Sequence, residues 1–256
     1  MFYILEVQPS LSVMDSEGFF YCFCPILSCL VSYLCYINDL IMANIDAKLE
    51  RFKKLCTDIL SQSGNCKESQ ADMAAANTVP ELVAVWLKYW HGLITEVPQQ
   101  TIAALSEVYD DYKDEINAAG VYFNESTDKG EVLVGDCPNV LKFGDKAKVY
   151  VLGKAEVCAY DHVYVYADNE EAKVLLNDYS RGNIHKSTVH ACDWSSVITD
   201  SKKVFCADAA TVDITGGVVC DAGHREINAY KGSVVYSNLK KGITLDNTSK
   251  LLKKNS

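Results

Sequence analysis

Five aspartates stand at a near-even spacing. Asp145, Asp161, Asp178, Asp193 and Asp208 follow one another at intervals of fifteen to seventeen residues. Carboxylates stacked in this way can do one of three things. They can hold a divalent cation between layers. Two of them can work as general acid and base on a glycan. Or each can accept backbone N–H groups and hold a turn. Tyr150, Tyr160, Tyr164, Tyr166 and Tyr179 lie among them, and Tyr230 follows the last. Exposed tyrosines suit sugar stacking or a protein interface, and they also stack across the strands of any sheet. His185, His190 and Asp193 are near enough in sequence to suggest a metal site. A strand and turn of that length does not aim both rings at one point, so surface roles are preferred. No P-loop, dinucleotide fingerprint, nucleophile elbow or zinc-protease motif is present.

Something must carry these residues at that interval. A valine, or a leucine or isoleucine in its place, returns every seven to nine residues: Leu133, Leu141, Val149, Val157, Val165, Val174, then Val189, Val197, Val204, Val212, Val219, Ile227, Val235 and Ile243. The step from Val174 to Val189 is double and is filled by SRGNIHKST. The residue two past each marker is often apolar or small, and turn-forming residues follow it. That is strand alternation with a turn. Repetition at a fixed short period marks a solenoid. The aspartates fall four residues past every second marker, which favours a flattened coil of two strands and about 16 residues. Adjacent coils of a parallel sheet lie about 4.8 Å apart, so bare carboxylates there would repel. Calcium-binding rolls solve this with cations, but their glycine pattern is absent here. Turn capping within each aspartate's own turn is therefore the preferred reading, with no metal and no cofactor expected.

Residues 42–120 read as a helical module. Ile45, Leu49, Phe52, Cys56 and Ile59 form one amphipathic stripe, and SQSGNCKESQ is a polar break. Thr78, Pro80 and Glu81 spell a helix start with a capping box, ahead of Leu82, Val85, Trp86, Tyr89 and Leu93. Pro98 opens a third helix carrying Ile102, Leu105, Val108, Tyr109, Tyr112 and Ile116, with Gly120 as its stop. Trp86, Trp90 and His91 are read as core with a polar edge rather than as a pocket.

Residues 1–41 differ from the rest: they carry four acids and no lysine or arginine. Phe19 to Ile37 is uncharged for nineteen residues, long enough to be a transmembrane candidate. Met42 opens a stretch that reads as an ordinary start of a soluble chain, so residues 1–41 are read as an upstream extension or a membrane anchor. The net charge is −10, and residues 133–256 carry sixteen bases against fifteen acids. No segment has the basic excess that a nucleic-acid partner requires. Eleven cysteines without C-x-x-C spacing read as reduced thiols, hence a cytoplasmic location unless residues 19–37 anchor the chain.

KVYVLGKAEVCAYDHVYVYAD and, ahead of it, GVYFNES resemble the degenerate A-x-V-x-A-Y-D/G-N tandem repeats of β-solenoid proteins from Bacteroidetes and their phages and mobile elements. The resemblance covers residues 80–247, fades after Val174, and implies a solenoid with no activity or catalytic residue attached.

The fold expected is α+β. A small N-terminal helical bundle (42–120) caps, through a junction (121–132), a parallel β-solenoid (133–247), with a C-terminal tail (248–256). The function expected is non-enzymatic binding or scaffolding, with flat solenoid faces presented to a protein or glycan. The candidate binding residues are Tyr150, Tyr160, Tyr164, Tyr166, Tyr179, Asp161, Asp178, Asp193 and Asp208. Two alternatives remain: a self-assembling structural protein like the bactofilin filaments, and a β-helix enzyme that cleaves glycans with its stacked aspartates.

Overall fold

The computed structural model describes residues 25–62 and 67–253. The chain divides into two compact units, Met1–Glu50 and Arg51–Ser256. In the first, helix α1 (Pro25–Gln62) begins and exposes Tyr33, Leu34 and Tyr36 to solvent. The apolar stretch 19–37 lies partly outside the described residues. No described helix is long and apolar enough to cross a membrane. Helix α1 runs on through Met42, so the composition break there is not an element boundary.

The second unit contains everything else described. Its helices are the last turns of α1, then α2 (Lys67–Ala75), α3 (Val79–Lys88), α4 (Trp90–Thr95) and α5 (Pro98–Ala118). The stripes predict three helices. The structure adds α2, which starts within the supposed polar break and runs past it to Ala75, and divides the second helix at Tyr89, whose φ of −107° and ψ of 14° leave the helical region. The capping box forms as expected: Glu81 N–H donates to Thr78 Oγ1, and Thr78 N–H donates to Glu81 Oε2. Phe52 meets Trp86 edge-on at 5.7 Å and stacks with Tyr112 at 6.2 Å. With Cys56, Leu60, Leu82, Leu93, Leu105 and Ile116 they form the buried centre of the helical module. Trp86 and Trp90 are core, as the stripes imply.

Among the described residues, seventeen parallel strands follow in two sheets. The front sheet runs β1 (Val121–Phe123), β2 (Glu131–Val134), β4 (Lys148–Val151), β6 (Tyr164–Asp168), β8 (Arg181–His185), β10 (Ser196–Thr199), β12 (Thr211–Thr215), β14 (Glu226–Tyr230) and β16 (Ile243–Leu245). The back sheet holds β3 (Val140–Phe143), β5 (Glu156–Ala159), β7 (Lys173–Leu176), β9 (Thr188–Ala191), β11 (Lys203–Cys206), β13 (Val218–Asp221), β15 (Val234–Tyr236) and β17 (Lys250–Leu252). From β2 onward the chain alternates between sheets, so each strand pairs with the strands one coil before and after. This is the two-strand coil of about 16 residues that the aspartate spacing implies. Inside, Val149, Val165, Val197, Val212 and Ile227 from the front meet Val157, Val174, Val189, Val204 and Val219 from the back, all at or near zero exposure.

The strands extend beyond the expected 133–247. β1 falls in the supposed junction and pairs with β2, and β17 falls in the supposed tail. Two register assignments change. On β2 the inward residue is Val132, which pairs with Val149; Leu133 pairs with Tyr150 on the outer face. Leu133 mimics a marker because the outer face is also buried here: Tyr109 packs edge-on to Phe123 and Trp90 to Tyr150. The double step hides a strand, β8, whose marker position is Gly182, paired with Val165 and Val197. A Cβ on Gly182 would lie 2.9 Å from Leu176 Cδ1 and 3.0 Å from Ile184 Cγ1. Those two larger side chains fill the space a valine would take.

Candidate functional site

The five aspartates line one rim of the solenoid, in the turns from back sheet to front sheet. Each adopts a left-handed backbone, with φ between 49° and 60°, which Asp tolerates better than most residues. Three of the carboxylates reach beyond their own turns. Asp161 Oδ2 accepts from Asp145 N–H at 3.4 Å, Asp178 Oδ2 from Asp161 N–H at 3.3 Å, and Asp193 Oδ2 from Asp178 N–H at 3.3 Å. The bonds run from coil to coil, which corrects the own-turn reading. This answers the repulsion: each of these negative oxygens faces a donor of the layer beneath it. Among the described residues no group of three or more His, Cys, Asp or Glu is arranged to hold a metal ion. His185 and His190 lie in β8 and β9, on different sheets. His185 Nδ1 is 3.1 Å from Asp200 Oδ2, while His190 stacks on Phe205 at 4.5 Å.

The residue after each aspartate matters more. On three coils its N–H is tied to the previous coil: His162 donates to Asp145 O (3.2 Å), Tyr179 to Asp161 O (3.0 Å) and Ala209 to Asp193 O (2.9 Å). Two residues past the aspartate the chain turns inward, at Ala147, Val163, Ser180, Ser195 and Ala210, all buried. The residue between has nowhere to go but outward. On three successive coils it is His162, Tyr179 and Trp194. His162 and Tyr179 stack at 5.7 Å with 15° between their planes. Tyr179 and Trp194 are each 56% exposed. For aromatic rings this size, exposure on consecutive layers forgoes a large burial gain.

These rings form one wall of a groove of about 740 Å³ on the front sheet. Its floor is the outward-facing row of that sheet, where Tyr164 pairs with Arg181, Arg181 with Ser196 and Ser196 with Thr211. Asn183 and Ile198 form the far side. Arg225, from the turn before β14, reaches back until its guanidinium carbon is 5.9 Å from the Trp194 ring centroid. Ala209, at the intervening aromatic position, leaves that path open.

The structure sorts the candidates. Tyr164 and Tyr179 line the groove. Tyr150 does not: its hydroxyl donates to Glu131 Oε2 at 2.7 Å and its ring packs on Trp90, so the helices use it. Its hydroxyl is raised above the ordinary tyrosine range by burial and by Glu131. Tyr166 sits half-buried between Tyr150 and His185, and Tyr160 is half-buried at the rim, where burial raises its hydroxyl. Asp161, Asp178 and Asp193 stand beside the aromatic wall with their carboxylates bonded. Asp208 shares their backbone conformation. His162, Arg181, Trp194 and Arg225 were not singled out from sequence. The first and third were findable as the residue after each ladder aspartate.

A second cluster carries chemistry-bearing groups but no opening. Asp221 accepts from Gly223 N–H at 2.9 Å and from the Ser237 hydroxyl, while its Oδ2 lies 2.9 Å from His224 Nδ1. His224 Nε2 lies 2.9 Å from Lys241 O. The serine hydroxyl meets the carboxylate and not the imidazole, and the side chains of acid and histidine are 1% exposed, so the group is closed to solvent. The cluster ties together the last described coils. Compared with family models, with curated proteins and with solved structures, the chain matches none of them.

Proposed function

We propose that the protein is a non-enzymatic binding module whose front-sheet groove receives a glycan chain lying along the solenoid axis. The observation that carries this reading is the exposed ladder of His162, Tyr179 and Trp194 on three consecutive coils, beside a floor of polar side chains. Aromatic faces stack on the apolar faces of sugar rings, while Asn183, Ser196 and Thr211 offer hydrogen bonds to hydroxyls. A solenoid suits the task because its repeat presents equivalent positions at fixed intervals on a rigid surface. The rim aspartates support a structural role, since three of their carboxylates are committed to neighbouring coils. The free described cysteines, three of them buried, suit a reducing compartment such as the cytoplasm.

The test is retention of the full chain on a glycan array, compared with the double variant Tyr179→Ala/Trp194→Ala. Saturable binding that the double variant loses by tenfold or more supports the reading. Binding that the double variant leaves intact, or capture of protein partners alone, overturns it.

A further inference from the structure

We propose that the groove selects a carboxylate-bearing glycan, with Arg181 and Arg225 as the side chains that recognise the acid. This rests on the glycan reading above and names its ligand class. The chain carries a net charge of −10, yet the groove lining includes two arginines and no aspartate or glutamate. Several other cations of the solenoid are neutralised: Lys148 pairs with Glu131, Lys154 with Glu171, Lys173 with Glu156 and Lys186 with Asp168. No ion pair among the described residues engages Arg181 or Arg225. Both are exposed.

Their placement matches an acidic sugar. Arg181 stands on the floor between Tyr164 and Ser196. Arg225 reaches back to Trp194. Along the axis Arg181 is therefore level with Tyr179, while Arg225 comes from beyond Trp194 with its guanidinium drawn back toward that ring. A ring stacked on Trp194 or Tyr179 would offer a carboxylate to either of them. Guanidinium is suited to this, because its planar fork donates two parallel hydrogen bonds to one carboxylate. The bonded row of Asp161, Asp178 and Asp193 alongside disfavours a ligand as densely charged as a polyphosphate chain.

The test is calorimetric titration of the full chain with four kinds of probe. These are oligogalacturonate, a mixed mannuronate–guluronate oligomer, the carboxyl-reduced neutral form of each, and a single-stranded oligouridylate. At least one oligouronate is expected to bind, with its reduced form at least tenfold weaker. Arg181→Gln and Arg225→Gln should each weaken the acidic ligand about tenfold and the reduced one little, while Tyr179→Ala weakens both. Unchanged thermal unfolding of these surface variants confirms that they fold. Equal binding of acidic and reduced forms, insensitive to either arginine, overturns the acid selection and leaves the glycan reading standing. No saccharide binding, or binding of oligouridylate alone, overturns both.

Discussion

An aspartate of the rim does two jobs, and substitution can separate them. Asp178 holds φ at 53° and accepts the Asp161 N–H across the coil gap. Asparagine keeps both properties, so Asp178→Asn should leave stability nearly unchanged. Asp178→Ala loses the acceptor and strains the left-handed backbone, and should cost about 1–3 kcal/mol in urea unfolding. Asp178→Gly, which relieves the strain alone, should fall between. The corner serines invite the opposite change. The hydroxyls of Ser180 and Ser195 are buried without a hydrogen-bond partner, and Ala147 and Ala210 fill the matching corners of other coils. Ser180→Ala and Ser195→Ala should therefore be neutral or stabilise by up to about 1 kcal/mol, and a fall in urea midpoint would show that the hydroxyls have partners. The interval between aspartates was legible in sequence, because a turn conformation recurs once per coil. The direction of their bonds was not, because own-turn and next-coil donors give the same spacing.

Strands show where a repeat can hide. β8 is a full member of the front sheet, but its inward residue is Gly182, so a search for valine passes over it. Replacing that glycine with the valine of its neighbours should cost about 1–3 kcal/mol, because Leu176 and Ile184 already fill the site. Adding Leu176→Ala should recover part of the loss, since it vacates the space. The turn between β16 and β17 gives a pH-dependent test. Asp246 accepts from the N–H groups of Lys231 (2.8 Å), Thr248 (3.0 Å) and Ser249 (2.8 Å). Donation from Lys231, foremost, holds its carboxyl well below the usual carboxylate range. Its stabilising effect is thus present above the unfolded value of about 4 and fades as pH falls through the folded value. Protection of the Lys231, Thr248 and Ser249 amides should drop across that acid window, and Asp246→Asn should flatten the dependence. Apart from β8, the strands between Leu141 and Ile243 were legible because a two-residue alternation inside an eight-residue unit fits a strand and turn and does not fit a helix. β1 and the register of β2 were not, because helices bury their outer face and erase the alternation.

At the scale of the molecule, helices and solenoid in the second unit share one aromatic seam: Trp90 on Tyr150 and Tyr109 on Phe123. Removing residues 1–120 should bare Phe123, Leu133 and Tyr150 and drive association, visible by light scattering; a truncated chain that stays monomeric would count against the seam as a shield. The front-sheet groove lay beyond sequence for a related reason. His162, Tyr164, Tyr179, Arg181, Trp194 and Arg225 come from different coils, and only the registers of both sheets place them side by side. The same topology governs how the solenoid yields to force. Every described strand pairs only with those one coil behind or ahead, and none with a more distant one. Pulled from the C terminus along the axis, such an object does not rupture as a whole. It unzips, giving up one coil at a time and lengthening by about 50 Å with each. An optical trap should record a sawtooth of near-equal steps, its first teeth shallow where Ile243, Leu245 and Leu251 are only partly buried.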